Sequence, residues 1–175
     1  MNKKIWTALF VLLFVFGLSA CGKESPKPPE IAQSYESDVK ITLKDIKMEC
    51  HIVHKDYDNQ EITITSPKEL SNFKIIKSVQ EYSMQYKDMN IKMDLSSFPN
   101  SSFISLISPS YVRLVQSDSV KIKREGKYWI YEGKINSENY IIKQNDKTAL
   151  VEKIEVPGAG LKAEFLNIKK IANEG

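Results

Sequence analysis

Alternation with a period of two is the strongest constraint on what this chain can fold into. Val39, Ile41 and Leu43 alternate with Lys40, Thr42 and Lys44, the pattern of a strand with one buried and one wet face. After Asp45 the apolar phase moves to even numbers, through Ile46, Met48, Cys50 and Ile52. One extra residue swaps the faces of a strand, so the slip predicts a bulge or a tight turn at Lys44-Asp45. Ile62 to Thr65 resumes the sheet after the polar cluster Asp56-Tyr57-Asp58-Asn59, and Ser66-Pro67-Lys68-Glu69-Leu70 breaks it. Tyr82, Met84 and Tyr86 share a face, and Ile91 and Met93 follow a turn at residues 88–90.

The second half repeats the pattern. Residues 120–124, a Glu125-Gly126 turn and residues 127–132 read as a hairpin, with Gly supplying the positive φ. Residues 140–143 and 148–156 form another around Asn145-Asp146, and Pro157-Gly158-Ala159-Gly160 turns the chain into a last strand over 161–168. Consecutive hairpins imply a mostly antiparallel sheet with one solvated face. Only residues 100–117 depart from this. Phe103, Ile104, Leu106 and Ile107, then Tyr111, Val112, Leu114 and Val115, fall at helical spacing, with Ser108-Pro109 as a helix start between them. A short helix is also predicted at residues 29–34, opening on proline.

The amino terminus decides where the domain goes. Lys3 and Lys4 precede an uncharged run from Ile5 to Leu18, which is followed by Leu18-Ser19-Ala20-Cys21-Gly22. That run has the length of a signal-peptide core and falls short of the roughly 20 apolar residues of a membrane span. A branched apolar residue, two small residues and a cysteine form a lipobox, which predicts cleavage before Cys21 and attachment of diacylglycerol to its thiol. The expected organisation is a lipoprotein signal peptide over 1–20, the lipidated Cys21 with a Pro-rich tether to residue 29, and one β domain over 30–175. Such a chain is carried to the extracytoplasmic face of a membrane and held there by its lipid. The formal net charge of +3 includes Lys3 and Lys4, with no acid before residue 21. The remainder is therefore near +1, which gives no argument for nucleic acid. With Cys21 acylated, Cys50 has no partner for an intrachain disulfide.

Few residues suggest chemistry. On a strand, Cys50 and His54 share a face while His51 points away, and their spacing matches neither a zinc ribbon nor a haem attachment site. Asp56, Asp58 and Glu61 lack the glycine and closing glutamate of a calcium loop. Neither histidine has a recognisable catalytic partner and no nucleophile elbow appears. The reading is therefore a non-enzyme, without catalytic residues, metal or cofactor beyond the covalent lipid. The aromatic set Tyr128, Trp129, Tyr131 and Tyr140 lies on neighbouring hairpins. It reads either as core and rim, or as a patch facing a partner, since Tyr and Trp are enriched in interfaces. Tyr128 and Ile130 fall on one face of their strand, Trp129 and Tyr131 on the other, so large side chains are expected on both.

The order of these pieces resembles the LolA/LolB-like lipoprotein-carrier family, in the branch of the clostridial spore germination lipoproteins. The resembling segments are Tyr35-Glu36-Ser37-Asp38-Val39, Ser66-Pro67-Lys68-Glu69-Leu70, Ser102-Phe103-Ile104-Ser105-Leu106 and Lys127-Tyr128-Trp129-Ile130. Glu152-Lys153-Ile154-Glu155-Val156 and Lys162-Ala163-Glu164-Phe165 complete the series, which spans residues 30 to 170. Lys55-Asp56-Tyr57-Asp58 is charged where a Gly- and Asn-rich turn is expected. The strand after Lys147-Thr148 lacks a proline associated with the carriers. What the resemblance implies is an α+β fold, a strongly curved and incomplete antiparallel barrel with short helices on its concave face. It further implies a non-enzymatic partner that activates a cortex-modifying N-acetylmuramoyl-L-alanine amidase, in the forespore intermembrane space, for cortex modification and germination. Strand exchange into a homodimer is implied for that branch. The alternative is a carrier that holds acyl chains in an apolar cavity.

Overall fold

The computed structural model describes residues 27–56, 59–94, 119–135 and 138–171. They form an eleven-stranded sheet in which every neighbouring pair is antiparallel. The first six strands are β1 (Tyr35–Leu43), β2 (Ile46–His54), β3 (Gln60–Ser66), β4 (Lys74–Lys77), β5 (Glu81–Tyr86) and β6 (Met89–Asp94). The other five are β7 (Lys121–Glu125), β8 (Tyr128–Ile135), β9 (Glu138–Asn145), β10 (Val151–Val156) and β11 (Leu161–Lys170). In space they run β6-β5-β4-β3-β2-β1-β11-β10-β9-β8-β7. Two meanders thus meet at a seam between the first strand and the last, and β6 and β7 are the two edges. The sheet is open.

Tight turns set the registers. The slip after Asp45 is a two-residue turn in which Leu43 faces Ile46 and Lys44 adopts φ 54°. Lys44 N–H also donates to the Gly160 carbonyl at 2.8 Å, tying this turn to the one beyond β10. There Pro157–Ala159 forms a single 3-10 turn and Gly160 takes the left-handed conformation at φ 65°, which glycine adopts without a steric penalty. The β7–β8 turn is Gly126-Lys127, one residue later than expected, because Gly126 at φ 60° must be its first member and Glu125 then pairs with Tyr128.

Residues 29–34 are not helical, contrary to the sequence expectation. The backbone polar groups that a helix would use internally go to the sheet instead. Ala32 N–H donates to the Ala149 carbonyl at 3.0 Å, and the Pro29 carbonyl accepts from Gln144 Nε2 at 2.9 Å. The helices expected over 100–117 lie outside the described residues.

One face of the sheet carries the core. Val39 and Ile41 of β1, Met48, Cys50 and Ile52 of β2, and Leu161, Ala163 and Phe165 of β11 pack in one cluster that runs from Ile75 and Tyr82 to Trp129. Burying each such aliphatic side chain contributes roughly 1.5–3 kcal/mol. On the outer face, registered neighbours are charged. Glu164 lies beside Lys153 and Lys40, and Lys40 beside Glu49. Their ion pairs, such as Lys162–Glu164 at 2.7 Å and Lys40–Glu49 at 3.7 Å, are solvated and add little to stability.

Gly133 pairs with Tyr140, whose ring covers it so closely that a Cβ there would lie 2.4 Å from Tyr140 Oη and 2.6 Å from Cζ. The Tyr140 ring is itself buried in the core and has little room to yield. Gly133→Ala should therefore cost about 1–3 kcal/mol, read as a lower urea midpoint at unchanged slope. An unchanged midpoint would show that the ring moves freely.

Candidate interaction surface and buried polar groups

The four aromatic residues singled out in the sequence separate. Trp129 and Tyr131 point from β8 into the core and Tyr140 joins them from β9, with relative exposures of 5%, 2% and 2%. Trp129 and Tyr131 use their polar atoms inside the fold or at its rim. Trp129 Nε1 donates to Asp146 Oδ1 at 2.7 Å, with the Arg124 guanidinium 5.6 Å from the ring centre and paired to the same carboxylate. Tyr131 Oη donates to Gln144 Oε1, and burial pushes its hydroxyl up to about 12. Burial raises Tyr140 as well. These three rings are therefore not a surface patch, because the core face of β8 and β9 needs them as filling.

Tyr128 alone of the set stays on the outer face. Its Oη donates to Glu152 Oε2 at 3.0 Å and Lys127 Nζ lies 4.9 Å from its ring centre. Tyr128, Lys143, Glu152, Lys153 and Glu164 border a shallow hollow of about 250 Å³. Ile130, on the same face between Lys123 and Lys143, is buried outside the main cluster. Large side chains thus occur on both faces of β8, as the alternation requires.

The Cys50, His51 and His54 group is split by the strand. Cys50 is buried in the core, where desolvation first and the Asp38 charge second push its thiol up to about 12. His51 points outward, its Nδ1 lying 3.0 Å from Asp38 Oδ1, while Asn167 Nδ2 donates to Asp38 Oδ2 at 2.9 Å. The Asn167 bond, then the His51 bond, hold the Asp38 carboxyl below its ordinary value. His54 is fully buried, stacked on Tyr35 at 5.1 Å, with Nδ1 donating to the Gln33 carbonyl. Desolvation keeps its imidazole below the usual histidine range. Among the described residues no three His, Cys, Asp or Glu side chains converge as a metal site requires. Asp56 caps its own turn, accepting from Asn59 N–H at 2.8 Å.

Sequence reading placed His54 on the face of Cys50 and missed the other buried polar residues, Gln60, Gln144 and Ser37. Strand phase was the available signal. His54 continues Met48, Cys50 and Ile52, Gln60 precedes Ile62 and Ile64 in step, and Gln144 follows Tyr140 and Ile142. Two of them hold the segment before β1, Gln144 through Pro29 and His54 through Gln33. Ser37 Oγ donates across the seam to the Leu166 carbonyl at 2.8 Å.

No protein-family model matches the sequence, and neither does any curated protein. Solved structures do resemble it. An uncharacterized conserved protein from Thermus thermophilus superposes with a TM-score of 0.57 at 5% identity, over 81% of each chain. This shows the fold. The structure of the CwlD amidase from Clostridioides difficile in complex with the GerS lipoprotein matches at 15% identity and a TM-score of 0.46, over 100% of this chain and 96% of that one. The LolA superfamily protein NE2245 from Nitrosomonas europaea matches at 10% identity and 0.42, over 82% and 88%.

The raised Cys50 thiol gives a direct check on this geometry, since thiolate is the reactive form. In a Cys21→Ala chain Cys50 is the sole thiol. Iodoacetamide at pH 8 should leave the folded protein unmodified over a period that fully alkylates it in urea. Equal rates in both would place Cys50 at the surface.

Proposed function

We propose that this chain is a non-enzymatic lipoprotein, held at the extracytoplasmic face of a membrane by lipid on Cys21, that works by binding another protein. The observation that carries this reading is the filled core face. The chain's own side chains, from Tyr82 through Ile52 and Phe165 to Trp129, occupy the side of the sheet on which a carrier would hold acyl chains. What the domain offers to others is its outer face and its two edges. Tyr128 and the charged hollow beside it are the contact region on the outer face.

The partner class comes from the family resemblance of residues 30 to 170. It is a cortex-modifying N-acetylmuramoyl-L-alanine amidase in the forespore intermembrane space, with strand exchange into a homodimer as part of the same reading. Binding would favour a competent state of the enzyme by differential affinity for it. The lipid would then place the domain and take no part in the activation.

Affinity capture from sporulating cells with the full chain tests this. The amidase should co-purify, and its cleavage of peptidoglycan should rise when the chain is added. The Cys21→Ala chain should lose the membrane fraction and still activate the amidase in solution. An amidase that is fully active alone and is not captured would rule the reading out.

A further inference from the structure

We propose that a bound water molecule sits in the core between His54 and Gln60, donating a hydrogen bond to His54 Nε2 and exchanging another with the Gln60 amide. The two residues are registered opposite each other at the end of the β2–β3 ladder. Residues so paired share a face, with Cβ atoms about 4.5–5.5 Å apart, and here that face is the core. His54 is 0% exposed and Gln60 3%. Three of their polar atoms, His54 Nε2, Gln60 Oε1 and Gln60 Nε2, are buried without a hydrogen-bond partner in the protein. Among the described residues these are the buried side-chain atoms left in that condition, and all three fall on this one registered pair.

The chemistry of each atom decides the occupant. A carbonyl can only accept, so the contact of His54 Nδ1 with the Gln33 carbonyl places the ring hydrogen on Nδ1. Nε2 of the neutral ring is then an acceptor and needs a donor. The Gln60 amide presents one accepting oxygen and one donating nitrogen. The occupant must therefore donate to the imidazole and donate or accept at the amide, and water does both. An anion has no hydrogen to give Nε2. A metal ion would find one ring nitrogen and one amide oxygen, and no three His, Cys, Asp or Glu side chains converge among the described residues. Lys77, registered on the other side of Gln60, also opposes a second cation. A dry site is the costly alternative, since each polar atom gives up its solvent hydrogen bond on burial and gains none. Buried waters typically make about three hydrogen bonds to groups of this kind.

The surroundings fit this reading. Tyr35 of β1 stacks on the imidazole with ring centres 5.1 Å apart and covers it from the side away from β3. Gln60 also borders a hollow of about 290 Å³ with Val53, Lys55, Asn59 and Ser78, so solvent lies one side chain away. Gln144, the other glutamine buried on this face, has both amide atoms bonded within the protein, to Tyr131, Pro29 and Ala149. At Gln60 the water supplies what those three groups supply at Gln144. The inference uses neither lipid on Cys21 nor any partner protein.

A crystal structure of the full Cys21→Ala chain that resolves ordered water tests it. Density within hydrogen-bond distance of both His54 Nε2 and one Gln60 amide atom is expected. A direct His54–Gln60 bond, another side chain in that place, or no density between the two residues overturns the proposal. In solution, NOE and ROE spectra recorded from water should show a cross-peak of opposite sign at His54 Hε1, the mark of bound water as against passing solvent. Gln60→Met keeps the length of the side chain and removes both amide atoms, so in that variant the His54 cross-peak should disappear. Its persistence there would mean that the pair does not hold the water, and its absence from the Cys21→Ala parent would mean that no water is held; either result overturns the proposal. Should Gln60→Met fail to fold, the crystal structure and the parent's spectra still decide.

Discussion

The ladder between β1 and β11 is the interaction on which the rest of the fold depends. It joins Val39 to Phe165, Ile41 to Ala163 and Leu43 to Leu161, strands that are more than a hundred residues apart in the chain. Without it, each meander would expose one side of a core that Val39, Ile41, Ala163 and Phe165 occupy jointly. Closing such a long loop has an entropic cost, though that cost grows only slowly with length. The return is a continuous apolar face from Ile75 to Trp129. The seam also carries its own fittings. Ser37 and Asp38 lie at a register shift in β1 and reach across to Leu166 and Asn167, and the Lys44 and Gly160 turns meet at one end.

Local regularity was legible in the sequence. The odd-to-even slip at Lys44-Asp45 marked the first hairpin, and Pro157-Gly158-Ala159-Gly160 marked the last turn, because positive φ and proline leave direct compositional traces. The pairing of β1 with β11 left no such trace, since ladders between distant strands rest on backbone groups common to every residue. β4 was missed for a related reason. Lys74-Ile75-Ile76-Lys77 is short and does not alternate, and it becomes a strand only because β3 and β5 flank it. Residues 29–34 were read as helix from Pro29 alone, when their hydrogen-bond partners lie in and just beyond β2 and β9.

The candidate site was legible only in part. Composition identifies Tyr128, Trp129, Tyr131 and Tyr140 as large rings, and phase sorts them by face, but which face is the core depends on neighbours across the sheet. Once the seam is in place, three of the four become core and Tyr128 remains outside. The same logic explains His54 and Gln144. Both sit in apolar phase because their polar atoms hold the segment just before β1, at Pro29 and Gln33.

That the core face is filled by the chain's own side chains is the central claim. Native mass spectrometry of the Cys21→Ala chain, purified without detergent, tests it most directly. The account predicts a mass equal to the polypeptide, or to a multiple of it, with no acyl lipid released on activation. One fatty acid or phospholipid retained per chain would contradict it and would make the core face a carrier's cavity.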